Sequence, residues 1–155
     1  MRCVFLILIS FFIIISCKQK EQEKVDEKII EDRLNSLNRT ANKQDLDGFM
    51  DHFVKSDSTL FIFNADPAFG WENIKIRQEE WWNNVDTAHY RIYNQIIIPL
   101  SDSAFTATNI ATSWVVTRNG EEKMGRFIIS MTWIKTIDGW KIIEAHESTS
   151  GLNLK

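Results

Sequence analysis

The sequence predicts an α+β fold in which amphipathic helices come first and a long antiparallel sheet follows. Three observations carry the prediction. In the first third of the chain, apolar residues recur at three- and four-residue steps, which places them on one face of a helix. From Tyr90 to Ser148 the chain runs instead in long stretches rich in β-branched and aromatic residues. Two hairpin signals, Asn119-Gly120 and Asp138-Gly139, punctuate those stretches. Consecutive hairpins make a meander, and the helices are expected to cover one of its faces.

The chain opens with Met1-Arg2-Cys3 and a nearly unbroken apolar run from Val4 to Ile15, closed by Ser16-Cys17. A membrane-spanning helix needs about 20 apolar residues, so this run is short for a span. One positive charge, a short apolar core and a small residue before the break mark a secretory signal over residues 1–16. The ending resembles a bacterial lipoprotein lipobox, which implies cleavage before Cys17 and lipidation of that cysteine. By that resemblance the protein sits in the bacterial cell envelope, with the lipid on Cys17 as its membrane partner. Residues 17–24 continue as Lys18-Gln19-Lys20-Glu21-Gln22-Glu23-Lys24, which has nothing to bury and reads as a solvated tether.

About 140 residues remain for one domain with a single core, assigned to residues 25–150. With Cys3 lost and Cys17 acylated, no intramolecular disulfide is available, and packing alone must hold the fold. The net charge is −3 and becomes more negative once Arg2 leaves. Without a basic stripe, nucleic acid is excluded as a partner. The three histidines are isolated and no metal-ligand spacing occurs, so no metal and no cofactor are expected.

Within the domain, Val25, Ile29, Leu34, Leu37 and Ala41, widened by Ile30, form the stripe of a first helix. Asp45 is placed to cap a short second helix that buries Leu46, Phe49, Met50 and Phe53. A strand over Thr59–Phe63 follows, ended by Asn64-Ala65-Asp66-Pro67. A third helix is predicted over Trp71–Asn83, with Ile74, Gln78, Trp81 and Trp82 near one face. Adjacent tryptophans cannot both point inward, so one is expected at a rim or an interface. Strands are predicted over Tyr90–Leu100, Ser103–Thr117, Gly125–Thr136 and Trp140–Ser148. Ile128 and Ile129 point opposite ways, so both sheet faces carry apolar groups, which predicts a homodimer through the outer face.

The order of these elements is similar to that of the NTF2-like superfamily, in its SnoaL-like and DUF4440-like branch. Lys43-Gln44-Asp45-Leu46-Asp47-Gly48-Phe49 resembles the stretch after its first helix, and Phe69-Gly70-Trp71-Glu72 resembles the glycine before its third. The ending Gly139-Trp140-Lys141-Ile142-Ile143-Glu144-Ala145-His146-Glu147-Ser148 is similar to its terminal strand. The resemblance implies a cone of curved sheet closed by three helices, with an internal pocket. It implies no particular reaction.

It favours His146 and Ser148 pointing into that pocket. Strand alternation puts Ile142, Glu144, His146 and Ser148 on one face, barring a bulge. An inward His146 beside Glu144 can serve as a general base, or be a hydrogen-bonded core residue. Asp66 and Tyr90 are its candidate partners, although Asp66 before a proline is also a turn residue. Arg126 can meet a ligand carboxylate or sit on the surface. Six tryptophans in this length suggest an aromatic ligand site, with Trp71, Trp81, Trp82 and Trp114 as candidate walls, or else a cone filled by large rings. The expected function is a membrane-tethered domain that binds a small apolar or amphipathic ligand. The alternatives are a cofactor-free isomerase, dehydratase or hydrolase using His146, and a structural dimerisation module.

Overall fold

The computed structural model describes residues 27–152, so the signal, Cys17, the tether and Val25 lie outside the described residues. Helix α1 (Glu27–Asn42) buries Ile30, Leu34 and Leu37 and leaves Ile29 half exposed, so the true stripe runs Ile30–Leu34–Leu37–Ala41. Asp45 caps α2 (Leu46–Met50), its Oδ1 accepting from Gly48 N at 3.0 Å. A Cβ at Gly48 would collide with the other oxygen of that carboxylate, so the cap requires glycine there. Phe49 and Met50 are buried, and the exit of α2 is clamped to the last strand. Ile142 N donates to His52 O at 2.7 Å, and Val54 N to Ile142 O at 2.9 Å.

Strand β1 (Leu60–Phe63) turns through Asn64 and Ala65 into β2 (Asp66–Phe69). The segment expected to end a strand is therefore a tight hairpin. Asn64 takes the left-handed conformation (φ 58°) that asparagine tolerates, and Pro67 is accepted because β2 is an edge strand. Gly70, at φ 83°, supplies the turn into α3 (Trp71–Asn83), whose bounds are those predicted.

Then come β3 (Val85–Ser101), β4 (Ala104–Thr117), β5 (Glu122–Thr136) and β6 (Gly139–Leu152). The sheet order is β2-β1-β6-β5-β4-β3, antiparallel throughout except for the parallel β1–β6 pair. Register shifts on β3 and one on β6 bend these long strands, as bulges do. The result is the expected α+β architecture, a curved sheet with the helices on its concave face. At one end Phe105 and Trp133 stack 5.6 Å apart with Trp140 edge-on to Phe105, and no solvent reaches the first two. The outer face shows Ile96, Ile98, Ile128 and Met124 half exposed. Among the described residues no helix is long and apolar enough to cross a membrane.

Candidate functional site

Towards the other end a cavity of about 290 Å³ lies between the sheet and the helices. Its walls come from every layer of the fold. Helix α1 contributes Leu37, Asn38 and Ala41; α2 contributes Phe49; α3 contributes Arg77, Gln78, Trp81 and Trp82. The sheet supplies Phe61, Phe63, Tyr90, Ile92, Asn109, Phe127, Ile129 and Glu147. Aromatic walls with a few polar groups describe a small-molecule site, at the small end of the usual size range.

The two adjacent tryptophans divide as expected. Trp82 is 5% exposed and Trp81 is 43% exposed at the mouth. Trp81 Nε1 donates to the Tyr90 hydroxyl at 3.4 Å. The Trp82 indole N–H lies near enough to that hydroxyl to favour its ionised form, yet it is buried without a partner at ordinary hydrogen-bond geometry. Tyr90 is held by its backbone: its N–H donates to Asn42 Oδ1 at 2.7 Å, and its carbonyl accepts from Asn42 Nδ2 at 3.1 Å. Its ring meets Phe127 edge-on. Burial pushes the Tyr90 phenol up, and the Glu147 charge adds to that.

Glu147 is the titratable group that sequence reasoning passed over. Burial raises its carboxyl from 4.5 to about 7, with no cation close enough to oppose the shift. Among the described residues its carboxyl has no hydrogen-bond or ion-pair partner. It remains in contact with the space of the cavity.

His146 and Ser148 do not point inward, and the reason is a bulge. Trp133 faces Ile142 and Thr132 faces Glu144, so Ile143 is an extra residue and the alternation resets after it. Ala145 and Glu147 then join Ile142 on the concave side, while Glu144, His146 and Ser148 turn outward. His146 is exposed, its Nε2 3.2 Å from the Asn64 carbonyl, and far from the role of a pocket base. Arg126 is likewise on the outer face, one residue before the buried Phe127. Trp114 is outside too, stacked on His89 with its Nε1 3.4 Å from Glu122 Oε2.

Trp71 does not line the cavity either. Its Nε1 donates to Met50 O at 3.1 Å, and Lys55 and Lys75 flank its ring. Asp66 does not line the cavity and touches it only through Arg77, whose Nη2 is 2.6 Å from Asp66 Oδ2. That bond holds the Asp66 carboxyl below its usual range. Of the residues singled out in the sequence, the fold thus brings together Tyr90, Trp81 and Trp82. Gln78, Asn109 and Glu147 join them. Gln78 had a sequence signal as the polar member of an otherwise apolar helical face. Glu147 had none, because its direction depends on the bulge. No group of three or more His, Cys, Asp or Glu side chains among the described residues is placed to hold a metal ion.

Helices on a curved sheet, closed at one end and hollow at the other, define a cone-shaped α+β domain. The chain belongs to the SnoaL-like domain family, which it matches over residues 30–150. None of the curated proteins matches it. Among solved structures it is similar to an NTF2-like superfamily protein from Salmonella enterica serovar Typhimurium. The TM-score is 0.73 at 20% identity, over 83% of this chain and 93% of that one. A protein provisionally named scytalone dehydratase from Novosphingobium aromaticivorans gives 0.73 at 12% identity, over 84% and 90% of the two chains. The hexachlorocyclohexane dehydrochlorinase LinA-type3 from Novosphingobium barchaimii gives 0.68 at 9%, over 82% and 90%. At these identities the likeness is one of fold.

Proposed function

We propose that this protein is a membrane-tethered SnoaL-like domain that holds a small, largely apolar molecule in its aromatic cavity. One observation carries the reading: the cone is not filled, and about 290 Å³ of space is walled by aromatic rings with few polar groups. A purely structural module would have no use for that space. The probe is 2-phenylethanol, followed by the indole N–H signals in ¹H–¹⁵N spectra. The Trp81 and Trp82 signals are expected to shift on binding while Trp71 and Trp114 stay still. Shifts confined to the latter pair, or none at all, would sink the proposal.

A second reading, a cofactor-free enzyme that moves protons, is favoured by Glu147. A carboxyl titrating near neutrality in the same cavity as a tyrosine hydroxyl is matched to general acid–base work. Glu147 would take the role first expected of His146, removing a proton next to a carbonyl whose oxygen meets Tyr90. In deuterium oxide, phenylacetone should then exchange its α-hydrogens faster with the protein than with Glu147→Gln. Equal rates for the two would dismiss this reading.

The tether and the assembly are part of the same proposal. Fatty-acid label should be incorporated by the full chain and lost in Cys17→Ser, and unchanged labelling would refute acylation there. The exposed Ile96, Ile98 and Ile128 support pairing through the outer face. The domain from Val25 onward should therefore sediment as a dimer, and a monomer at high concentration would contradict this.

A further inference from the structure

We infer that the cavity takes an organic monocation, a protonated amine or quaternary ammonium on a small apolar body, with its nitrogen paired to Glu147 against the ring faces. The inference rests on the binding reading above and adds the charge of the ligand to it. Among the described residues that line the cavity, two carry a charge, Arg77 and Glu147. Arg77 is already committed: its guanidinium is bonded to Asp66 and lies 5.1 Å from the centre of the Phe63 ring. With that pair neutralised, an ionised Glu147 leaves the cavity one negative charge in excess.

The same cavity is lined by the rings of Phe61, Phe63, Trp81, Trp82, Tyr90 and Phe127. Ring faces are electron-rich and attract cations, most strongly where water is excluded. A carboxyl among them is poorly placed to hold an anion. A neutral ligand gives it at most a hydrogen bond, whereas a ligand bringing its own positive charge supplies the counterion Glu147 lacks among the described residues. The raised carboxyl pKa agrees with this, since such a group waits for a cation in order to ionise.

The other titratable groups among the described residues that line the cavity are Tyr90 on β3 and the Asp66-bound Arg77 on α3, and neither opposes the rise of the Glu147 carboxyl. Glu144 and His146 on its own strand face the other way. The pH response of binding is therefore that of Glu147 itself.

The test compares three probes of matched size by calorimetry on the full chain in detergent: 2-phenylethylammonium, 2-phenylethanol and 3-phenylpropanoate. At pH 8 the ammonium is expected to bind at least tenfold more tightly than either of the others. At pH 5.5 it is still charged but Glu147 is protonated, so its advantage should disappear. Glu147→Gln should abolish that advantage at pH 8. Should this variant misfold, the pH 5.5 measurement on the native chain carries the same information. If the alcohol or the propanoate equals the ammonium at pH 8, the inference fails and the cavity still binds. If no probe binds, the inference and the binding reading fail together.

Discussion

Glu147→Gln is expected to give the protein a stability that climbs as pH rises from about 4 to 6.5, and His52→Gln one that falls from about 4.5 to 7. Glu147 is pushed up to about 7 by burial, so the folded chain keeps its proton where the unfolded chain has released it. Stability from this group is whole at low pH and is lost as pH rises through 7. His52 is the opposite case. It is 2% exposed, its Nδ1 is 2.8 Å from the Gly48 carbonyl, and burial together with the neighbouring Arg33 lowers its pKa to about 4. Here the unfolded chain binds a proton that the folded chain refuses, so stability is lost as pH falls from 6.5 to 4.

Each shift corresponds to on the order of 3 kcal/mol. The two slopes have opposite sign over nearly the same range, so in the native protein they cancel and neither shows. Urea unfolding at a series of pH values checks this. If the Glu147→Gln profile matches the native one, Glu147 is not buried as described.

Trp133→Ala should cost about 3–5 kcal/mol, the usual loss for a large ring removed from a closed core. Trp133 has no exposed surface, stacks on Phe105 and meets His52 edge-on. Against a total stability of about 5–15 kcal/mol, such a loss leaves a marginal fold. Trp133→Phe should be far milder, about 1–2 kcal/mol, because it also removes a buried indole N–H that has no partner. Chemical denaturation of the two variants decides the point. An alanine variant within about 1 kcal/mol of native would mean that this end of the cone is not a packed core.

These elements differ in how legible they were in the sequence. Helix α3 was read correctly to the residue because its signals are local: a glycine before it, an apolar stripe, and strand-forming residues after it. The Asn119-Gly120 and Asp138-Gly139 turns were equally plain, as Gly120 and Gly139 both take positive φ. Strand β2 was missed because Asp66-Pro67 has the composition of a break. Only pairing with β1 makes it a strand, and only its edge position makes the proline acceptable. The aromatic part of the site, Trp81, Trp82 and Tyr90, was visible as an excess of large rings. Its acid was not, because Glu147 faces inward only through the register of β5 against β6, a long-range property. His146 carried the stronger motif and the wrong orientation.

The bulge at Ile143 also makes the polar content of the cavity a matter of chain length. Past it, β6 carries two interleaved sets of side chains, Ala145 and Glu147 on one face, Glu144, His146 and Ser148 on the other. Deleting Glu144 while the bulge stays in place would bring His146 opposite Met131 and Ser148 opposite Ile129, on the concave side. The rest of the sheet would keep its register. A lineage carrying this strand can thus exchange a carboxyl for an imidazole and a hydroxyl by losing one codon, with no substitution at any position that lines the cavity.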